Sequence, residues 1–135
     1  MLRMLVVVLL FVSVSAQADF TGNWIGPGVY TNHDEEKIEF ELKAYVTETA
    51  TLLKIEENAF GNTYTFEIND GKLYLNGQAV GEISATMLKL KYLDDADAGC
   101  YQSFMITKSD TGLNYEDDYS CDGGYFDNVK AELKK

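Results

Sequence analysis

In 135 residues this sequence has one arginine (Arg3), one proline (Pro27), one histidine (His33), one tryptophan (Trp24) and two cysteines. The lone histidine lies in the polar run Thr31-Asn32-His33-Asp34-Glu35-Glu36, which reads as a loop. A loop-borne histidine among acids gives a hydrolase no base to set beside a nucleophile, and nothing of the form G-x-S-x-G is present. No segment shows the 3.6-residue period of an amphipathic helix. Pro/Ser tracts, low-complexity segments and defensible repeats are also missing, so no linker divides the chain.

Positive charge is the other shortage. All 22 acidic residues follow residue 18, and ten lysines stand against them there, a formal charge of −12 for residues 19–135. A chain this acidic repels phosphate backbones and anionic headgroups, which argues against nucleic acid and membrane surfaces as partners. It favours solubility first, and basic proteins or metal cations as partners second. The only long apolar run, Met4 to Val12, is preceded by Met1-Leu2-Arg3 and followed by Ala16-Gln17-Ala18. It falls short of the roughly 20 residues needed to span a bilayer and has the three-part form of a secretory signal peptide. Residues 1–18 are therefore expected to be a signal peptide and 19–135 a single exported domain beginning at Asp19, secreted or periplasmic, with no membrane insertion.

Within that domain the apolar residues alternate with period two. Ile38, Phe40, Leu42, Ala44 and Val46 share one face of a strand; Thr51, Leu53 and Ile55 share another, as do Tyr64, Phe66 and Ile68. Asp70-Gly71 and Asn76-Gly77 are two-residue hairpin signals, because these residues tolerate positive φ. They predict that Ile68 faces Leu73, Phe66 faces Leu75 and Leu73 faces Val80. Further strands are expected over Leu88–Tyr92, Cys100–Thr107, Leu113–Cys121 and Tyr125–Leu133. A hairpin centred on Asp110-Thr111 makes facing residue numbers sum to 221, which sets Cys100 opposite Cys121. A bulge at Gly112 would shift that register by one. In an exported chain with two cysteines this placement predicts a disulfide between Cys100 and Cys121. Many short strands joined by tight turns leave a sandwich or a barrel, and we read an all-β, antiparallel up-and-down barrel of about eight strands.

Phe20-Thr21-Gly22-Asn23-Trp24-Ile25-Gly26-Pro27 opens the domain, and its indole can bury on the order of 200 Å² as a plug at one end. Gly22-x-Trp24 at the start of the first strand, after an export signal and before a meander, resembles the opening of lipocalin-like (calycin) barrels, including the avidin type. The resemblance implies a lipocalin-like fold and, by family habit, a cation from a late strand over the tryptophan. With Arg3 confined to the leader, that role falls to Lys130.

Two functional readings follow. The first is a binding protein, not an enzyme, that carries a small apolar or aromatic ligand in a cavity lined by Phe40, Leu42, Tyr64, Phe66, Leu90 and Phe104. The second is an acidic protein-binding module, or inhibitor of a basic partner such as a lysozyme, presenting Asp34, Glu35, Asp94, Asp95 and Asp97. Asp94-Asp95-Ala96-Asp97-Ala98-Gly99 begins as calcium loops do, but Cys100, Tyr101 and Gln102 supply no further carboxylate, so the segment reads as a solvated turn unless Asp122 shares a cation with it. No cofactor and no metal site are assigned. Tyr115 and Tyr119 share a strand face with Leu113 and Asp117, suited either to core packing or to a pocket mouth. The disulfide is checked by intact mass: alkylated before reduction the native protein takes up no label, and after reduction it takes up two.

Overall fold

The computed structural model describes residues 20–135; the signal peptide expected over residues 1–18, and Asp19, lie outside them. Ten antiparallel strands follow in chain order: β1 (Gly22–Thr31), β2 (Lys37–Glu48), β3 (Leu52–Glu57), β4 (Thr63–Asn69), β5 (Lys72–Leu75), β6 (Gln78–Ile83), β7 (Met87–Asp95), β8 (Cys100–Ser109), β9 (Gly112–Cys121) and β10 (Phe126–Leu133). Each pairs with its neighbours in sequence, and β10 returns to β1 to close the barrel. The expected count of eight is thus corrected to ten. The two hairpins at Asp70-Gly71 and Asn76-Gly77 supply the strands that the lower count left out, β5 with only four residues between its turns.

The hairpin chemistry is realised in the backbone. Asp70 and Gly71 take φ of 52° and 73°, Asn76 and Gly77 of 51° and 78°, as primed turns require. Ile68 faces Leu73, and Glu67 faces Tyr74, the register expected to bring Phe66 opposite Leu75. Leu73, however, pairs with Gly81 and not with Val80, because a bulge between Leu73 and Tyr74 makes Val80 the extra residue. Val80 nevertheless packs against the core. Cys100 faces Cys121, the 221 register holds down to Ser109 opposite Gly112, and the two cysteines are bonded. A disulfide fits an oxidising compartment.

Apolar side chains fill the barrel from its closed end to past its middle. Phe20, Leu42, Val46, Leu53, Ile55, Phe66, Leu73, Leu88, Leu90, Phe104, Ile106 and Leu133 are fully buried, while Glu39, Glu41, Lys89, Lys91, Lys130 and Glu132 stand outside on the alternate positions. Trp24 is buried at the closed end, and its Nε1–H donates to the carbonyl of Phe20 at 2.8 Å. The cation over its ring comes from Lys135, whose Nζ lies 5.1 Å from the ring, and not from Lys130, which is exposed and paired with Glu116 at 3.7 Å. Lys130 sits on an outward position of β10, so it has no path to the interior. Gly22 makes room for this arrangement: a Cβ there would stand 2.7 Å from Lys135 Cε and 3.4 Å from Trp24 Nε1.

Closure depends on β1, the strand that pairs with β2 along its whole length and with β10 from Gly28 to Thr31. Lower down, Ile25 and Lys134 exchange both backbone hydrogen bonds, at 2.9 and 2.8 Å. The amide of Ile25 therefore points at β10, and two residues on Pro27 occupies the next such position without an N–H to give, which interrupts the ladder. At Gly26 the strands come so close that a Cβ would stand 2.0 Å from the carbonyl oxygen of Glu132. Substituting Trp24→Ala should lower stability by about 3 to 5 kcal/mol, as large aromatic truncations in cores do. Guanidinium denaturation measures it, with buried-indole fluorescence in the native wild type as the companion readout.

Candidate functional site

In an up-and-down barrel alternate turns gather at opposite ends. The turns β1–β2, β3–β4, β5–β6, β7–β8 and β9–β10 form one end, and Phe20, Lys135 and the other four turns form the other. Followed toward the first end, the inward rows change character. After Leu53 and Ile55, β3 presents Glu57; after Ile106 and Phe104, β8 presents Gln102; after Leu113 and Tyr115, β9 presents Asp117 and Tyr119. Strand β4 begins inward with Tyr64, β7 finishes with Tyr92 and Asp94, and β10 begins with Asp127. Together with Phe60 and Asn62 of the β3–β4 turn and Thr63 at the start of β4, these side chains surround a cavity of about 480 Å³, Glu57 packed below through its bonds to that turn. That is within the size range of small-ligand pockets.

The floor is a polar layer on top of the apolar core. Glu57, Gln102 and Asp117 are the buried polar side chains among the described residues, each about 95% withdrawn from solvent. Glu57 is committed to its own turn: its carboxylate accepts from the backbone N–H of Phe60 at 3.0 Å and of Asn62 at 3.1 Å. Asp117 is different. It accepts a short hydrogen bond from the Gln102 side-chain amide and a longer one, 3.4 Å, from the Tyr115 hydroxyl, and no ion pair from the described residues reaches it. Burial pushes its carboxyl up to about 7, the charge of Glu57 adding to the effect and the bonds from Gln102 and Tyr115 opposing it. The phenols around it are also raised: burial lifts Tyr92 to about 12, and Tyr64 and Tyr115 well above the usual range, with the charge of Asp117 contributing to all three.

The rim is made of tyrosine–carboxylate pairs. Asp127 accepts from Tyr30 and, at 2.7 Å, from Tyr125; Asp94 accepts from Tyr119 at 3.2 Å. Phe60 stands edge-on to Tyr30 at 5.5 Å between centroids. Below, Tyr64 packs edge-on to Phe104 at 4.7 Å, which ties the wall of the mouth to the core. The disulfide joins β8 and β9 one inward position beyond Gln102 and Tyr119, bracing the strands that carry Gln102 and Asp117. No residue lining the cavity is a lysine.

The six residues expected to line a ligand cavity separate into three groups. Leu42, Phe66, Leu90 and Phe104 are sealed in the core at 2% exposure or less. Phe40 is half-buried; its ring lies over Gly28, where a Cβ would stand 3.2 Å away, and borders a depression on the outer wall beside Pro27, Val29 and Met105. Tyr64 alone lines the mouth. His33 is exposed in the β1–β2 loop, 3.5 Å from Asp34 and stacked on Tyr125 at 4.9 Å, outside the cavity. Asp95 is occupied with its own turn, accepting from the N–H groups of Asp97 and Ala98, and among the described residues no three His, Cys, Asp or Glu side chains stand together as a metal site. Asp122 packs against Gly99, where a Cβ would meet its carboxylate.

The chain matches no protein-family model, no curated protein and no solved structure. Its site is therefore read from its own geometry. Face parity followed to the strand ends would have found Glu57, Gln102 and Tyr92, since each continues an apolar inward row. Asp127 needed the inward row of β10 to be extended beyond its apolar members. What parity could not give is that five turns bring these ends to one mouth.

Asp117 gives a direct check. Between the ordinary carboxylate range and pH 7 the folded chain keeps a proton that the unfolded chain has lost, so stability is highest below that window, falls as pH rises through it, and is flat above it. Asp117 should accordingly cost about 2 kcal/mol between pH 5.5 and 8. Asp117→Asn should remove that slope and be the more stable form at pH 8, as measured by urea denaturation at the two pH values.

Proposed function

We propose that this chain is an exported binding protein, a barrel of the lipocalin-like kind, that takes a small aromatic ligand in the mouth of the barrel and not in its depth. The observation that carries the reading is the change of the inward rows from Leu, Ile and Phe to Tyr, Gln and Asp at the ends of β3, β4, β7, β8, β9 and β10. A barrel that needed only to fold would finish those rows with apolar plugs or place the polar residues outside. Here a buried carboxylate is retained at a cost in stability, beneath a ring of tyrosines whose flat faces and hydroxyls suit an aromatic guest. Neither histidine nor serine lines the cavity and the cysteines are bonded, so no Ser–His or Cys–His pair stands there. Charged residues cover the outer wall, the reverse of the apolar belt of a membrane barrel.

The competing reading is capture of a basic protein by the acidic rim, and salt separates the two. A small molecule seated among tyrosines stays bound between low and physiological ionic strength, whereas a basic protein held by surface carboxylates is shed steeply. Native mass spectrometry after incubation with a small-molecule extract of the producing cells should show a retained mass at both ionic strengths. Tyr64→Ala and Tyr92→Ala should reduce retention tenfold or more, and Met105→Ala, on the outer wall, should leave it unchanged. Retention only of a basic protein, lost at physiological salt, would overturn the proposal.

A further inference from the structure

Five of the protein's lysines are engaged away from the cavity, and none of the ten lines it. Lys43, Lys54 and Lys130 pair with Glu41, Glu56 and Glu116 on the outer wall at 3.8, 3.0 and 3.7 Å. Lys91 lies over the ring of Tyr101, also outside, and Lys135 over Trp24 at the closed end. The mouth, by contrast, gathers Asp94, Asp117 and Asp127 in one cavity with no basic side chain. A carboxylate withdrawn from water is ordinarily paired with a cation. Asp117 has only an amide and a distant phenol, and it borders an open cavity.

We propose that the mouth takes a small organic monocation, a primary amine carried on a flat apolar body, with the ammonium seated on the carboxylate of Asp117 and the body held against the tyrosine rings. This rests on the reading of the mouth as a ligand site and names the class of ligand. An ammonium brings three donors and a full charge, for which the Asp117 oxygens and the hydroxyls of Tyr64 and Tyr92, all lining the cavity, are the acceptors. The faces of Tyr64, Tyr92, Tyr119 and Phe60 are themselves attractive to a cation. An inorganic divalent cation is a poor fit, since among the described residues no three carboxylate, histidine or cysteine side chains stand together to hold one.

The groups that face Asp117 are Glu57 from β3, Tyr64 from β4, Tyr92 and Asp94 from β7, Gln102 from β8, Tyr115, Asp118 and Tyr119 from β9, and Asp127 from β10. All are neutral or acidic, so no cation among the described residues lines the cavity to compete for the carboxylate. Binding of the amine and loss of the Asp117 proton are then coupled, and affinity rises with pH to a plateau above 7.

The test is calorimetric titration of the purified protein with three probes of one shape: tyramine, its neutral counterpart tyrosol, and 4-hydroxyphenylacetate. Tyramine should bind at least tenfold more tightly than tyrosol, and the acid should not bind. Tyramine should weaken about tenfold from pH 8 to pH 6, the change in the ionised fraction of a group titrating near 7, while tyrosol should not change. Asp117→Asn, which alters no volume, should abolish both the preference and the pH dependence and keep the affinity for tyrosol. The pH comparison on the wild type stands without any variant. Equal binding of tyrosol and tyramine, or a preference that survives Asp117→Asn, would overturn the amine assignment and leave the mouth a site for neutral aromatics. Failure of all three probes at millimolar concentration would overturn the mouth as a ligand site as well.

Discussion

The structure depends on β1 being able to serve two neighbours. A sheet of ten strands has two edges until the first and last meet, and closure alone removes both. β1 gives its full length to β2 and a broken ladder to β10, the break falling at Pro27, where the chain has no amide to offer. Gly26 lets the two backbones approach where a side chain would strike Glu132, and the exchange between Ile25 and Lys134 fastens the seam beyond it. The seam is sealed further down by Trp24, held to Phe20 by its indole N–H and covered by Lys135. One end of the barrel is thus closed by Phe20, Trp24 and Lys135, which leaves the turns of the other end to surround an opening.

Between these ends the interior is graded. Burial of Leu, Ile, Val and Phe supplies the favourable free energy of the fold, and every such residue is placed where a strand row meets its neighbours' rows on both sides. At the mouth the same rows carry Glu57, Gln102 and Asp117, the last at a cost in stability once ionised. Their positions are held by what lies around them: Glu57 by the turn amides it accepts, Tyr64 by Phe104, Gln102 and Asp117 by each other and by strands joined through the disulfide. Rigid elements carrying an under-partnered carboxylate are a usual way to pre-organise a charged binding site.

Much of the fold was legible. Alternation from Ile38 to Val46, the Asp70-Gly71 and Asn76-Gly77 turns, and the register that sets Cys100 against Cys121 are local patterns with period two or fixed turn geometry, and the structure has them. The number of strands was not, because a barrel's strand count is set by closure and not by any one hairpin, and the bulge that gives Leu73 to Gly81 has no signature in a run as plain as Gln78-Ala79-Val80. The site was legible in pieces. Tyr64 and Asp117 could be placed on inward faces, but Leu42, Phe66, Leu90 and Phe104 look the same in sequence whether they line a hollow or fill one.

The sequence by itself determined an all-β chain, the facing of its strands, the disulfide and the burial of Trp24, since each follows from neighbours within a hairpin or from the chemistry of one residue. Tertiary structure decided the rest: that the tenth strand closes on the first, that Lys135 and not Lys130 covers the indole, and that carboxylates and tyrosines from four strands meet around one cavity. These depend on the stagger of strands around the barrel, a property of all ten pairings together. No single stretch of sequence contains it.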